Sequence, residues 1–339
     1  MIDDRVSLRM GAGGGAMRAL IRDVFASGFA APAGGIGLEA MDDGAAIPFG
    51  DRWLVVTTDS HVVQPLFFPG GDIGRLAVCG TVNDLAMMGA TEPLALTCAV
   101  VVEEGFTRRD LERIWSSIRA ACAEAGTTIV TGDTKVMRRG ELDGIVLNTA
   151  GVALAARVVT DRGLAPGDRI LVSGAMGDHG LAIMAARGNL ALEVELASDV
   201  APVNRMVRAA LAAGGGGVSA MKDPTRGGLA SALHEMAEKS GVAVVVDETA
   251  VPVSPAARAA GELLGIDPLH VANEGKVVLG VRPDAVAAVL AALRADPLGA
   301  DAAVVGECLP GPPGRVVLDT GFGRRLLVEP EGEPLPRIC

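Results

Sequence analysis

Several acids stand where apolar stretches end or are interrupted. Asp43 follows Asp42 just before a turn glycine, and Asp59 closes the β-branched run Val55-Val56-Thr57-Thr58. Asp84 follows Asn83 inside the apolar stretch Leu76–Met88, and Asp223 precedes Pro224. Hard Mg2+ ions that bridge phosphates take oxygen ligands, and several convergent aspartates supply them. Singly, each acid reads as a cap or turn residue; Asp84 fits that reading worst. Thr131-Gly132-Asp133-Thr134-Lys135 ends another apolar run with an acid and a base together. The most informative segment is Lys222-Asp223-Pro224-Thr225-Arg226-Gly227-Gly228. Asp followed by Pro fits a helix start at that point. It does not explain Gly227 and Gly228, each costing about 1 kcal/mol against Ala within a helix. Side-chain-free positions at a helix N-terminus let backbone N–H groups approach a phosphate, and Arg226 can add a bidentate contact.

Other chemistries are poorly served. There is no P-loop, and Gly11-x-Gly13-x-x-Ala16 lacks the preceding strand of a dinucleotide fingerprint. The four histidines show no ligand spacing, and the five cysteines contain no Cys-x-x-Cys pair, which argues against zinc and a disulfide framework. Cys79, Cys98 and Cys122 sit in apolar or helical contexts and read as core residues. Cys339 differs: it ends a segment, Val328–Cys339, that carries Pro330, Pro334 and Pro336 and no helix or strand period. That segment reads as an extended arm, roughly 40 Å long when stretched at ~3.3 Å per residue.

The elements that must position these groups form an α+β pattern in two units. The chain has 339 residues, 45 of them Gly, with only 3% aromatics and a formal charge of −11, so nucleic-acid binding is not expected. No apolar run reaches membrane-spanning length and no secretory signal opens the chain, so a cytoplasmic enzyme is expected. Strands are expected at 52–59, 94–102, 127–131 and 144–154, with helices at 72–89 and from Thr107 to about 125. After a turn cluster at Leu164–Asp168 the pattern restarts: strands at 169–173, 242–246, 276–281, 302–306 and 315–319. Helices are expected near 180–187, 202–212, 255–264 and 284–294, with one more after Pro224.

Together these stretches resemble the HypE family of hydrogenase maturation proteins. It lies in the superfamily that holds aminoimidazole ribonucleotide synthetase and selenophosphate synthetase. The likeness is carried by Thr58-Asp59-Ser60, Pro65–Gly74, Cys79–Leu85, Thr131–Lys135, Gly177-Asp178-His179-Gly180, Asp223–Gly228, Ala272–Lys276 and the ending Pro336-Arg337-Ile338-Cys339. Met10 stands where the family usually has His.

The resemblance implies a two-domain aminoimidazole-ribonucleotide-synthetase-like fold. Its parts are a Gly-rich segment (1–35), an ATP-binding and dimerisation domain (36–160), an α+β domain (161–320) and a mobile tail (321–339). It implies a homodimer, a carbamoyltransferase partner, HypF, and a HypC–HypD scaffold. It implies ATP-dependent dehydration of an S-carboxamide on Cys339 to an S-cyanide for the iron of NiFe hydrogenase. Carried onto this sequence, Cys339, Glu274 and Lys135 are the catalytic group. Asp59, Asn83, Asp84, Thr131, Gly132, Asp133, Asp223, Thr225, Arg226, Gly227 and Gly228 bind ATP. Asp43, Asp59, Asp84 and Asp223 hold Mg2+. The alternatives are a selenophosphate-synthetase-like phosphotransferase, which would be expected to carry a reactive Cys near the N-terminal glycines, and a non-enzymatic carrier.

Overall fold

The structure is a computed structural model that describes residues 5–11, 13–188, 195–330 and 338. Cys339 lies outside the described residues. The first unit opens with helix α1 (Gly14–Leu20). Strands β1 (Ala45–Phe49), β2 (Arg52–His61), β3 (Phe67–Phe68) and β4 (Gly71–Asp72) follow, then α2 (Ile73–Met87) and β5 (Pro93–Glu103). It closes with α3 (Arg108–Ala125), β6 (Ile129–Met137) and β7 (Ile145–Ala155). The second unit runs β8 (Arg169–Val172), α4 (Asp178–Arg187), α5 (Asn204–Gly214), β9 (Val218–Lys222), α6 (Gly228–Ser240) and β10 (Ala243–Asp247). It continues with α7 (Pro255–Leu264), β11 (Val278–Val281), α8 (Val286–Arg294), β12 (Ala303–Leu309), β13 (Val316–Asp319) and β14 (Arg324–Leu326).

Each unit is built on a sheet. The first has the order β1-β2-β7-β5-β6, antiparallel except for the parallel β5–β6 pair. β7 alternates buried and half-buried residues along its whole length, the period of a strand with one face on the core. The second sheet has seven strands in the order β14-β13-β10-β12-β8-β11-β9. α3 is a surface helix capped by the Thr107 hydroxyl, which accepts from Asp110 N–H, and stopped by Gly126 in the left-handed conformation. α2 is instead buried nearly all round. A helix apolar on every side needs cover on every side. One face packs on β2 and β7, another on α3, and Ala86 and Met87 enter a cluster with Val203, Met206 and Val207 of the second unit.

Asn83 of α2 joins the units by hydrogen bonds. Its Nδ2 donates to the Ala201 and Glu274 carbonyls at 3.1 Å each, and its Oδ1 accepts from Val203 N–H at 2.9 Å. The side chain is engaged at the domain junction and is not among the residues that line the cleft described below.

Three sequence expectations about elements change. The strand expected at 127–131 runs on to Met137, so Gly132–Lys135 lie inside β6 and do not end it. The helix expected after Pro224 is α6, but it begins at Gly228 with Gly227 as N-cap, so Asp223-Pro224 is not its first turn. Residues 324–326 of the expected tail pair with β13 as an edge strand.

Asn83→Ala orphans the Ala201 carbonyl and the Val203 N–H, and leaves the Glu274 carbonyl only a long bond from Ala201 N–H at 3.4 Å. It should lower stability by about 3 kcal/mol, read as a Tm drop of several degrees in a thermal melt. An unchanged Tm contradicts the role of Asn83 as the domain tie.

Candidate active site

A cleft of about 580 Å³ opens between the units. β2 contributes Thr57 and Asp59, α2 contributes Gly80 and Asp84, and the loop before β1 contributes Asp42 and Asp43. From the second unit come Lys222, Asp223, Thr225, Arg226, Gly228, Glu235 and Glu274, while Gly13, Gly14 and Arg18 of the N-terminal segment close one side. Asp84 and Gly80 face the cleft together because they are one helical turn apart. Gly80 has to be glycine, since a Cβ there would stand 2.7 Å from the His61 ring.

The acids outnumber the bases, and burial raises the cost of each unpaired charge. Lys222 Nζ lies 2.7 Å from Asp43 Oδ1, 3.3 Å from Glu235 and 3.7 Å from Asp161. Burial opposes its charge, but these three acids outweigh burial and hold it protonated. Arg18 adds a second cation to Glu235 at 3.2 Å. Burial and the neighbouring Asp161 and Asp43 push the Asp42 carboxyl up to about 7. Burial and Asp43 push Asp223 up to about 8. Burial, reinforced by Asp223, Asp59 and Asp199, drives Glu274 well above the usual carboxylate range, while Arg226 pulls it back.

Thr57 reveals the proton inventory. Its Oγ1 lies 2.9 Å from both the Asp43 carbonyl oxygen and Asp84 Oδ2. A hydroxyl has one proton to give and a carbonyl can only accept. Both contacts are therefore hydrogen bonds at once only when Asp84 carries a proton. Burial and the charges of Asp223, Asp59 and Asp43 drive Asp84 in the same direction.

A cation fits this donor set. Asp43 Oδ2 and Glu274 Oε1 are buried with no hydrogen-bond partner among the described residues. No group of three or more His, Cys, Asp or Glu among the described residues is close enough to grip a metal unaided. Asp43, Asp59, Asp84 and Asp223 therefore share a cleft without forming a finished cage.

Of the residues singled out in the sequence, Asp43, Asp59, Asp84, Asp223, Thr225, Arg226, Gly228 and Glu274 meet in the cleft. Thr131, Gly132, Asp133 and Lys135 do not. They lie along β6, an edge strand exposed over most of its length, where Lys135 pairs with Asp133 at 3.3 Å. Gly132 is explained by packing, because a Cβ there would stand 2.0 Å from the Cys98 carbonyl on β5. Gly227 and Gly228 are explained first by backbone. Both have positive φ, and a Cβ on Gly228 would meet the Val271 carbonyl at 2.5 Å. Gly227 itself sits behind the cleft as the cap of α6. Sequence reasoning missed Lys222, Glu235, Arg18 and Asp161, which carry no local pattern. It also missed His61, a buried imidazole held neutral by burial with Nε2 3.3 Å from Asp59.

Residues 41–155 match the model of the N-terminal domain of AIR synthase related proteins, and residues 165–319 match that of their C-terminal domain. The carbamoyl dehydratase HypE of Bradyrhizobium diazoefficiens is 49% identical over 98% of this chain and 96% of its own. The chain belongs to the HypE carbamoyl dehydratase family. A HypE–HypF complex structure superposes with a TM-score of 0.86 at 43% identity, covering 92% of this chain and 100% of the other. A HypE structure in complex with ATP gives 0.82 at 42% identity, covering 98% and 100%. No helix among the described residues is long and apolar enough to cross a membrane.

Burial and the neighbouring acids favour the protonated form of Asp84, which an amide resembles in shape and charge. Asp84→Asn should keep thermal stability within about 1 kcal/mol of wild type. A larger loss in a thermal melt contradicts the protonated assignment.

Proposed function

We propose that the chain uses ATP to dehydrate an S-carboxamide carried on Cys339 to an S-cyanide, supplying cyanide for the iron of NiFe hydrogenase. The observation that carries this reading is the meeting of buried carboxylates, Arg226 and a high-pKa Glu274 in one inter-domain cleft. The HypE names and the ATP complex of a relative support it.

The chemistry follows from the amide. Hydroxide is a poor leaving group, so the carbonyl oxygen must first take the γ-phosphoryl group of ATP, with one N–H proton lost. Phosphate then leaves as the second N–H proton is removed, and the carbon–nitrogen bond becomes triple. Arg226 and the N-terminal end of α6 are suited to the phosphates. Mg2+ would be held by Asp43, Asp59, Asp84 and Asp223 with the phosphates as further ligands, and would neutralise the charge of the transferring group. Glu274 is the base: burial makes its carboxylate strongly basic, and Arg226 draws it back toward a working range.

The reading extends to partners. HypF loads the carbamoyl group, a HypC–HypD scaffold takes the cyanide, and all of this runs in the cytoplasm. A homodimer is proposed through β6, whose open edge carries the exposed Val130 and Val136. Lys135 lies on that strand, outside this chain's cleft. It would then serve the reaction across the dimer, by positioning the thiocarboxamide.

Three outcomes check the reading. Glu274→Gln should still bind ATP and accept a carbamoyl group, yet lose about 10²–10⁴-fold in single-turnover cyanation; a near wild-type rate excludes Glu274 as the base. Asp84→Asn, though stable, should lose most ATP turnover because an amide cannot replace the charge a cation needs. Cys339→Ala should fold and bind ATP normally but show no ATP-dependent loss of water. Cyanide formation at wild-type level in that variant rules out Cys339 as the carrier.

A further inference from the structure

Ile338, the residue before Cys339, does not behave as part of a loose arm. Its side chain is 3% exposed and belongs to the cluster that holds Ile183, Val200 and Ala272. Its carbonyl oxygen lies 2.6 Å from Nε2 of His179, a fully buried ring on α4. The other ring nitrogen, Nδ1, lies 2.7 Å from Ser198 Oγ, and Ser198 Oγ also accepts from Val200 N–H at 3.1 Å. Phe68 packs edge-on against the ring at 5.7 Å and fixes its plane.

The directions of these bonds follow from what each atom can do. A carbonyl only accepts, so Nε2 must carry the proton. With the ring neutral, Nδ1 is then an acceptor, and the Ser198 hydroxyl is its donor. Burial drives the ring toward the neutral form. Val200 N–H, Ser198 O–H and His179 Nε2–H thus form a relay with one sense, ending on the backbone of Ile338.

The same loop reaches the active site. Asp199 Oδ1 accepts from Glu274 N–H at 3.0 Å, and its Oδ2 lies 3.2 Å from Lys276 Nζ. Gly180 N–H, next to His179, donates to the Ala272 carbonyl at 3.0 Å, two residues before Glu274. A residue bonded to Ile338 begins one Cα step, about 3.8 Å, from this socket.

We propose that His179, held in its Nε2–H tautomer by Ser198, is the positioning residue that seats Ile338 and thereby presents the thiol that follows it to the reaction. The specificity is for the backbone carbonyl plus one branched apolar side chain, so the socket recognises the residue preceding the thiol and leaves the carried group free to change. The inference rests on the proposed carrier role of Cys339, and its test is separable from that role.

The four other cysteines, Cys79, Cys98, Cys122 and Cys308, are buried, so a bulky aromatic disulfide reagent applied to the folded full-length chain reports on Cys339. Ser198→Ala should raise the thiol modification rate roughly fivefold or more, the weight of one neutral hydrogen bond, and Ile338→Ala, which keeps the carbonyl but removes a buried branched side chain, should raise it at least as far. Ser198→Thr, which keeps the hydroxyl, should restore the wild-type rate. In the wild-type chain, ¹⁵N correlation spectra of the His179 ring should show a neutral Nε2–H tautomer, a reading that needs no variant to fold. Unchanged thiol rates in both alanine variants, or an Nδ1–H tautomer, overturn the proposal. A fast rate that Ser198→Thr does not restore also overturns it. If the thiol rates behave as expected but the carbamoylated protein loses no water with ATP, the socket stands and the dehydration reading fails. If dehydration proceeds while the thiol rates do not move, only the socket fails.

Discussion

One buried cation holds the two halves of the cleft together. Lys222, at the end of β9, is tied to Asp43 from the first unit and to Glu235 on α6, with Asp161 close by. Removing one partner from a buried ion pair leaves an uncompensated charge and is strongly destabilising. The same contact orients the site. Lys222 takes Asp43 Oδ1 and leaves Oδ2 buried without a partner among the described residues. Around it burial, reinforced by the neighbouring acids, makes Asp42, Asp84, Asp223 and Glu274 hold their protons more tightly than free carboxylic acids. A cleft in that condition favours the arrival of positive charge accompanied by phosphate.

The glycines show how the backbone makes room for this chemistry. Gly80 lets His61 and Asp59 stand against α2, and Gly228 lets α6 start directly under the Val271 carbonyl. At both places a side chain would push the first unit or the 269–275 segment away from the cleft. The second unit contributes Glu274, Arg226 and the N-terminal end of α6, the first contributes most of the aspartates, and Asn83 ties the two together.

How much of this was legible in the sequence depends on the range of the interaction. Asp84 stood out because a carboxylate breaks the apolar period of α2, and Thr107 announced α3 through an ordinary capping pattern. β7 was expected at 144–154 and runs from Ile145 to Ala155. β6 was cut short because Gly132 and Asp133 have poor strand propensity, and pairing with β5 overrides it. β1 was missed because it is short and carries Pro48 at a sheet edge. Asp223-Pro224 mimics a helix start, yet α6 begins four residues later, where the close approach to Val271 sets the first turn. Lys222, Asp161, Glu235 and Arg18 were invisible for a plain reason: pairs such as Arg18–Glu235 are far apart along the chain and leave no local signature. Prolines marked the last residues as an extended arm, and the burial of Ile338 could not be read from them.

The central claim is that the cleft removes water from an amide carried on Cys339, at the expense of ATP. The most direct test is the intact mass of the carbamoylated protein before and after Mg2+ and ATP are added together. The carbamoylated species should lose the mass of one water, with ADP and phosphate formed in step and no loss when ATP is omitted. ATP hydrolysis with the carbamoylated mass unchanged would contradict it.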